Sequence, residues 1–483
     1  MATPIPSNRC VFTLGEIADA TGGRLVGGGD RRASIVGVIT DTRALKRGSL
    51  FVALQGPHAD GHDYLAQAAE RGAAAAIVAR GREVGIIPCI GVDDTLAALG
   101  SLAHRHLSRV RSARDVPTIA IGGAAGKTTT KELTASAARA IFGPTLSTPG
   151  NLNNRIGVPM TIFTLSDEHR AAVIECGTNL RGEIAHLARI VEPDAAMVLN
   201  VDIEHSEGLG TLEDIADEEA GLYSTARRFA VVSTEQPMLK SRIPARLNTI
   251  TFGIAADADV RLASRTILEN GRSRIALKLN PLFVKPEETP LLIVEIGLLG
   301  AAMALNCAAA IAGIVAMSRE PLTGEQLNAI GQALASAQPV ARRLALSRVR
   351  DILLVDDSYN AQPPSMRVAI ATAAELASKA RTRLIMVLGD MLELGALSAA
   401  SHDETVTDAI ARRPALLIAV GPEMEAALRR ATDRGATSGF ECQAAGDSDQ
   451  ASRLIQGKLR AGDVVLVKGS LGMKMDRVVA SLQ

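Results

Sequence analysis

Aromatic residues are scarce in this chain, which has no tryptophan, 3 tyrosines and 8 phenylalanines among 483 residues. Proteins that bind single-stranded nucleic acid usually stack bases on aromatic side chains, so this scarcity argues against that class. The chain also lacks an excess of charge of either sign, because 52 lysines and arginines balance 52 aspartates and glutamates. No net field draws it to nucleic acid or to anionic lipid, and we expect neither as a partner.

Long apolar runs and paired cysteines are also missing. The longest apolar stretch, 298–315, is interrupted by glycines and by Asn306, which predicts a buried helix rather than a membrane span. The first residues lack the continuous apolar region of a secretory signal. Because no two cysteines form a C-x-x-C pair, we expect neither a disulfide framework nor a zinc site, and a cytoplasmic location. The cysteines are Cys10, Cys89, Cys176, Cys307 and Cys442.

What is present is typical of a multidomain globular protein. Hydrophobic residues make up 47% of the chain and charged residues 22%, which excludes extended disorder. Its length suggests two to four domains. We predict an α/β protein of three domains: an N-terminal α/β domain (1–112), a central domain with a parallel sheet (113–337) and a C-terminal Rossmann-like domain (338–483).

Short apolar runs alternate with helical stretches in all three blocks, as parallel α/β sheets require. The predicted strands are 35–39, 50–54 and 74–78, then 118–121, 171–175, 195–200 and 229–233, then 352–356, 384–389, 416–421 and 464–468. The predicted helices include 65–71, 95–105 and 366–379. Doubly wound sheets bind ligands at the carboxyl ends of their strands, so polar residues that follow these strands are candidate site residues.

The segment 122–130 is the most informative of these. It joins a predicted strand to a helical stretch and contains G-x-x-G-K-T, with Ile121 where the longer P-loop pattern has its first glycine. Backbone N–H groups and the helix N-terminus would face a phosphate, Lys127 would add a positive charge, and Thr128 would offer a hydroxyl to Mg²⁺. The segment therefore predicts a site for a nucleoside triphosphate. An ordinary turn between strand and helix is the alternative.

Three further features accompany this loop. Glu175 ends a predicted strand, where a carboxylate is well placed to hold Mg²⁺; a solvated carboxylate at a strand end is the alternative. His205 follows another strand, but a lone histidine is weak evidence. The amides between positions 151 and 154 suit either a ligand-facing loop or a simple turn.

Together these strings resemble the Mur ligases and, within that family, the MurF type. The similarity covers nearly the whole chain and rests on the strings 40–43, 48–56, 60–64, 126–128, 150–154, 157–159, 356–361, 388–395 and 467–470. The string Gly-Asp-Met-Leu-Glu-Leu-Gly, 389–395, is close to specific for this branch. The resemblance implies an ATP-dependent amide ligase that adds D-alanyl-D-alanine to UDP-N-acetylmuramoyl-tripeptide through an acyl phosphate, in peptidoglycan precursor synthesis.

The resemblance also implies the site residues. The expected catalytic residues are Lys127, Glu175, His205 and Glu219. The expected ATP-binding residues are Gly123, Gly126, Lys127, Thr128, Thr129, Asn306, Arg343 and Asp357. The expected substrate-binding residues are Thr42, Arg43, Asp60, His62, Asn151, Asn153, Asn154, Tyr359 and Asn360. The expected magnesium ligands are Thr128, Glu175 and His205. The partners would be small molecules, namely a UDP-linked muramoyl peptide or similar acid and an amine or dipeptide, and the protein would be a monomer.

The chain departs from the family pattern near the ATP and metal site. Gly122 stands where the family has threonine, Leu180 where it has histidine, and Gly221 where it has glutamate. Residues 302–303 are Ala-Met in place of an adenine-side His-Asn pair, which should weaken or alter nucleotide recognition. Glu219 stands where the family has a lysine carbamylated by CO₂. Its carboxylate either replaces the carbamate or lies on a helix surface where a ligand has been lost.

Three classes of function stay open on this basis. The first is an active ligase of the MurF type, acting in cell-wall synthesis or as a paralogue that joins a different acid and amine in specialised metabolism. The second is a catalytically impaired homologue that binds a ligand or partner. The third, a P-loop kinase or NTPase, leaves the first and third blocks unexplained.

Overall fold

Three large β-sheets, each with helices beside it, organise the chain. The computed structural model describes residues 3–56, 59–203, 206–268 and 272–483, with the backbone alone for residues 206 and 207. The predicted α/β fold class is confirmed. None of the helices in these ranges is both long enough and apolar enough to cross a bilayer.

The N-terminal sheet has five strands in the order β2-β7-β6-β5-β4, and only β2 runs antiparallel to its neighbour. The elements of this region are β1 (Val11–Thr13), α1 (Leu14–Thr21), β2 (Arg24–Val26), β3 (Ser34–Val36), β4 (Val38–Ile39), β5 (Leu50–Val52), α2 (Leu65–Glu70), β6 (Ala75–Ala79), β7 (Cys89–Val92) and α3 (Thr95–Ala113). The prediction of one strand over 35–39 is wrong. Gly37, with φ of +86°, separates β3 from β4, and β3 pairs with β1 instead.

The central sheet has nine strands in the order β16-β15-β14-β13-β12-β11-β8-β10-β9. Its region comprises β8 (Thr118–Gly122), α4 (Lys127–Phe142), β9 (Thr145–Ser147), α5 (Gly157–Ile162), β10 (Ala171–Glu175), α6 (Glu183–Val191), β11 (Ala195–Val198), α7 (Ser206–Leu209), α8 (Leu212–Ala220), β12 (Phe229–Ser233), α9 (Pro237–Lys240), β13 (Asn248–Gly253), β14 (Val260–Ile267), β15 (Ser273–Leu279), β16 (Leu291–Ile296), α10 (Ala301–Met317) and α11 (Gly324–Ser336).

The central sheet is parallel from β9 to β14, as predicted, and the antiparallel strands β15 and β16 extend it. Strand β8 lies between β10 and β11, so the chain order reverses beside it. This reversal opens a crevice at the carboxyl end of β8, where doubly wound sheets bind their ligands. The segment that follows β8 is the predicted phosphate loop.

The C-terminal sheet has six strands in the order β17-β18-β22-β19-β20-β21, all parallel except β17. Its elements are β17 (Ala345–Val349), β18 (Ile352–Asp357), α12 (Pro363–Ala380), β19 (Leu384–Gly389), α13 (Ser398–Ala411), β20 (Leu416–Val420), α14 (Pro422–Asp433), β21 (Glu441–Ala445), α15 (Ser448–Ile455), β22 (Val464–Lys468) and α16 (Asp476–Leu482). Strands β18, β19 and β22 therefore end side by side.

Packing on both faces of the central sheet fixes the position of the phosphate loop. Ile119 and Ile121 of β8 belong to the core on one face, while Ala120 belongs to the core on the other. Helix α10, which contains most of the predicted buried stretch 298–315, is almost entirely buried on the first face. On the second face α3 of the N-terminal region packs against α6, so closely that a Cβ on Gly100 would lie 2.7 Å from Ile190 Cδ1.

Candidate nucleotide and ligation site

The segment between β8 and α4 has the conformation of a phosphate-binding loop. Gly123 and Gly126 have φ of +117° and +89°, a region that residues with a Cβ rarely adopt. No side chain caps the N-terminus of α4 at Gly126, so its first N–H groups are available to an anion. The Lys127 ammonium donates to the Gly123 carbonyl oxygen and, at 3.3 Å, to that of Ala124. The loop thus has a conformation that can hold phosphate, and its binding of a nucleotide stays a prediction.

Asn200 holds the loop in this shape, and the sequence reasoning missed it. Its Oδ1 accepts the Ala125 N–H at 2.8 Å, and its Nδ2 donates to the Ala125 carbonyl oxygen at 2.9 Å. The Ala124 N–H also donates to the Asn200 carbonyl oxygen at 2.9 Å. The only signal in the sequence was an amide at the end of the predicted strand 195–200, and the strand in fact ends at Val198.

Glu175 faces the loop from the end of β10 and is 1% exposed. Its Oε1 accepts the Thr128 hydroxyl at 3.0 Å and the Asn153 side-chain amide at 2.8 Å. Its Oε2 has no hydrogen-bond partner among the described residues. The alternative of a solvated strand-end carboxylate is therefore wrong. A buried carboxylate oxygen that accepts no hydrogen bond, together with a nearby threonine hydroxyl, forms a set of oxygen ligands that suits Mg²⁺.

The described residues contain no group of three or more histidine, cysteine, aspartate or glutamate side chains that could hold a metal. A magnesium site here would use Glu175 and Thr128 with oxygens of phosphate and water, which is how Mg²⁺ is usually bound beside a nucleotide. His205, the third predicted ligand, lies outside the described residues. The neighbouring Cys176 is fully buried, and burial raises the pKa of its thiol far above the physiological range.

Each acid of the run 217–219 has its own partner. Asp217 pairs with Arg242, and Glu218 accepts the N–H groups of Gly182 and Ile184 at the start of α6. Glu219 is 0% exposed, and its Oε2 accepts the Gly123 N–H at 2.7 Å. The hypothesis that Glu219 lies on a helix surface is therefore wrong.

The C-terminal domain forms the opposite wall of the site. Asp357 and Lys468 are opposite each other on β18 and β22, with Asp357 Oδ2 2.6 Å from the ammonium. Asp357 Oδ1 accepts the Leu344 N–H at 3.0 Å, and the Lys468 ammonium also donates to the Asn360 carbonyl oxygen at 2.8 Å. Burial raises the pKa of the Asp357 carboxyl, while Lys468 and the Leu344 N–H lower it.

This wall brings Arg343 to the site. The guanidinium of Arg343 stacks over the Tyr359 ring, 4.3 Å from its centroid. Its neighbours Arg342 and Leu344 have φ of +64° and +50°, which a non-glycine residue adopts only when its surroundings hold it there. The bond from Leu344 to Asp357 is one such constraint.

A cavity of about 550 Å³ lies between the phosphate-loop side of the central domain and this wall of the C-terminal domain. Ion pairs between described residues join the two domains, Arg367 of α12 with Asp202 after β11 and Arg265 of β14 with Glu375 of α12. The predicted site residues that line the cavity are Gly126, Lys127, Thr128, Thr129, Asn151, Asn153, Glu175, Asn306, Arg343, Asp357, Tyr359 and Asn360. The lining residues that the sequence reasoning did not select include Asn200, Asp202, Gln236, Arg367 and Lys468.

The family departures Ala302 and Met303 also line the cavity. They give it an apolar surface at positions where the sequence resemblance implied polar side chains. Asn306 lies one turn further along α10, close enough to the loop that a Cβ on Gly126 would be 3.0 Å from its Oδ1. Leu180, another departure, is 58% exposed.

The predicted substrate residues of the N-terminal domain do not line this cavity. Thr42 is buried, whereas the Arg43 side chain is exposed and pairs with Asp41. Both ring nitrogens of His62 are engaged within the fold, Nδ1 with Asp60 at 2.6 Å and Nε2 as acceptor of the Ala79 N–H at 2.9 Å. Asn154, a predicted substrate residue of the central domain, also does not line the cavity, and its Oδ1 accepts the Ile156 and Gly157 N–H groups. Their contact with a substrate stays a prediction.

Comparison with known proteins agrees with this geometry. The chain matches family models for the Mur ligase family catalytic domain over 34–106, the Mur ligase middle domain over 121–314 and the Mur ligase glutamate ligase domain over 342–471. It is 33% identical to the UDP-N-acetylmuramoyl-tripeptide--D-alanyl-D-alanine ligase of Escherichia coli, over 98% of each chain. The chain belongs to the Mur ligase family, as its sequence strings predicted.

Solved structures of the MurF type resemble the structure of this chain. The structure resembles MurF from Acinetobacter baumannii with a TM-score of 0.85 and 29% identity, over 98% of this chain and 99% of that one. It resembles the MurF ligase of Thermotoga maritima in complex with ADP with a TM-score of 0.78 and 26% identity, over 92% and 96% of the two chains. The domain boundaries proposed above stay predictions.

Proposed function

We propose that this chain is an ATP- and Mg²⁺-dependent ligase that joins D-alanyl-D-alanine to UDP-N-acetylmuramoyl-tripeptide in the cytoplasm. The observation that carries the proposal is Glu175, whose spare carboxylate oxygen lies beside Thr128 at the mouth of the phosphate loop. The Escherichia coli relative reported above has the same activity in its name. We infer that ATP transfers its γ-phosphoryl to the substrate carboxylate, and that the amine then displaces phosphate from the acyl phosphate.

The loop residues would hold the phosphates. The Lys127 ammonium lies at the loop, where it contacts the Gly123 and Ala124 carbonyl oxygens, and its positive charge would stabilise the β- and γ-phosphates. The uncapped N-terminus of α4 would also stabilise the negative charge of the phosphates. Bound Mg²⁺ would neutralise charge as the phosphoryl group moves, with Thr128 and Glu175 holding it from the protein side.

The opposite wall would complete the site and keep water out. Arg343 is one of the cations that this wall presents to the cavity, and its stacking on Tyr359 holds it there. An acyl phosphate hydrolyses if water reaches it, so a site closed between two domains protects the intermediate. The interdomain pair of Arg367 and Asp202 would help to keep the site closed. Asn151 and Asn153 would contact the acid substrate.

The test is phosphate release by the full chain with ATP and Mg²⁺, with the acid and the amine supplied separately and together. Release that needs both, with the amide product identified by mass, is the expected result. Lys127→Ala should abolish turnover, because it removes a charge from the transition state. Arg139→Ala, at the far end of the same helix, is the matched control and should retain turnover.

Two other outcomes overturn parts of the proposal. Binding of ADP without release under any pairing would exclude these two substrates and favour a paralogue with a different acid and amine, or a homologue that only binds. Absence of ADP binding, measured by calorimetry, would exclude the use of ATP itself.

A further inference from the structure

Glu219 lies beneath the phosphate loop rather than in the cavity. It reaches the loop from α8, is fully buried, and is not among the residues that line the cavity. Its Oε2 accepts the N–H of Gly123, the first residue after β8. Gly123 is also where the loop turns, with φ of +117°. The carboxylate therefore fixes the point at which the strand becomes the loop.

Gly122 makes room for that carboxylate. A Cβ at this position would lie 2.8 Å from Glu219 Oε2 and 3.1 Å from Leu222 Cδ2, closer than side chains pack. Carboxylate oxygens at the end of a side chain can usually move away from such a contact. Here Oε2 could not move without losing the Gly123 N–H, and burial of an unpaired N–H is costly.

We propose that Gly122 and Glu219 act as one unit, in which a residue without a side chain lets the Glu219 carboxylate hold the Gly123 N–H and so position the phosphate loop. Glu219 is then a positioning residue, separated from the phosphates by the loop itself. Gly122 and Glu219 are far apart in the sequence but fit one another in space. A threonine at position 122 could not coexist with this placement of Glu219.

A double-mutant cycle tests the unit. Gly122→Ala should raise the dissociation constant for ADP about tenfold, equivalent to about 1.4 kcal/mol, and Glu219→Ala should do the same. The double variant should bind ADP about as tightly as Glu219→Ala alone, because the methyl group then meets no carboxylate and the end of the Leu222 side chain, 3.1 Å away, can shift slightly. Glu219→Gln should restore most of the affinity, since its amide oxygen can still accept the Gly123 N–H.

The melting temperature of each variant without nucleotide is a second measurement of the same double-mutant cycle. Gly122→Ala should lower it by roughly 3 to 5 °C in the parent chain and by much less in the Glu219→Ala background. Gly221→Ala is the matched glycine control, because its Cβ would meet only ordinary contacts, the nearest at 3.6 Å. It should leave both the ADP affinity and the melting temperature nearly unchanged.

The inference rests on the proposed use of ATP only for the choice of ADP as probe. If the parent chain did not bind ADP, the proposed function would fail while the melting cycle would still test the unit. Additive losses in that cycle, with Gly122→Ala equally harmful in both backgrounds, would overturn the inference. An ADP affinity unaltered by Glu219→Ala would overturn the positioning role.

Discussion

Replacing Lys468 by methionine should destabilise the C-terminal domain and loosen one wall of the cavity. The Lys468 and Asp357 side chains are 2% and 11% exposed, so water cannot solvate the carboxylate once the ammonium is gone. The same carboxylate accepts the Leu344 N–H and thereby holds the segment that carries Arg343. Loss of the lysine should affect both stability and nucleotide binding.

The size of the stability loss follows from the burial of the Lys468–Asp357 pair. Removing one partner of a buried ion pair costs about 3–5 kcal/mol, because it leaves an uncompensated charge. At roughly 2–4 °C per kcal/mol for a unit of 150–250 residues, Lys468→Met should lower the melting temperature by about 6 °C or more. The double variant Asp357→Asn/Lys468→Met should recover much of this loss, because no charge is then left buried.

Calorimetric or urea unfolding of the full chain measures the effect. Lys458→Met is the matched control, since Lys458 pairs with Glu441 at 2.8 Å in the same domain but both side chains are more than 40% exposed. Exposed pairs contribute about 0–1 kcal/mol, so the control should scarcely change unfolding. A loss for Lys468→Met no larger than that of the control would refute the reasoning, as would a double variant less stable than either single one.

Three further outcomes follow from the site and its surroundings. Asn200→Asp should raise the KM for ATP about tenfold, because a carboxylate would face the Ala125 carbonyl oxygen that the amide now satisfies. An unchanged KM would contradict the role of Asn200 in holding the loop. Cys176 should resist iodoacetamide at pH 8 in the folded chain and react after unfolding, since burial raises its pKa; rapid labelling of the native chain would contradict its burial. His62→Ala should lower the free energy of unfolding, measured in urea, by about 1–3 kcal/mol, because it leaves the Ala79 N–H without an acceptor. A change near zero would mean that His62 has no structural role and would favour a purely ligand-binding one.

Local patterns were enough to predict much of the fold. Alternation of apolar runs with helical stretches predicted the strands at 118–121, 171–175 and 384–389 to within a residue or two, because buried parallel strands must be apolar on both faces. The antiparallel strands β15 and β16 were not predicted. Each alternates buried and exposed residues on a half-exposed sheet, a weaker pattern that the apolar-run criterion overlooks.

The sequence by itself determined the family, the phosphate loop and the placement of Glu175 at a strand end, because each depends on residues that are close together in the chain. Only the tertiary structure decided which acids and amides do the positioning. Residues 123 and 219 are far apart in sequence, as are 125 and 200 or 357 and 468, and no local pattern predicts their hydrogen bonds. Those contacts arise because parallel strands deliver their carboxyl ends to one edge, where packing of the intervening helices sets which side chains meet.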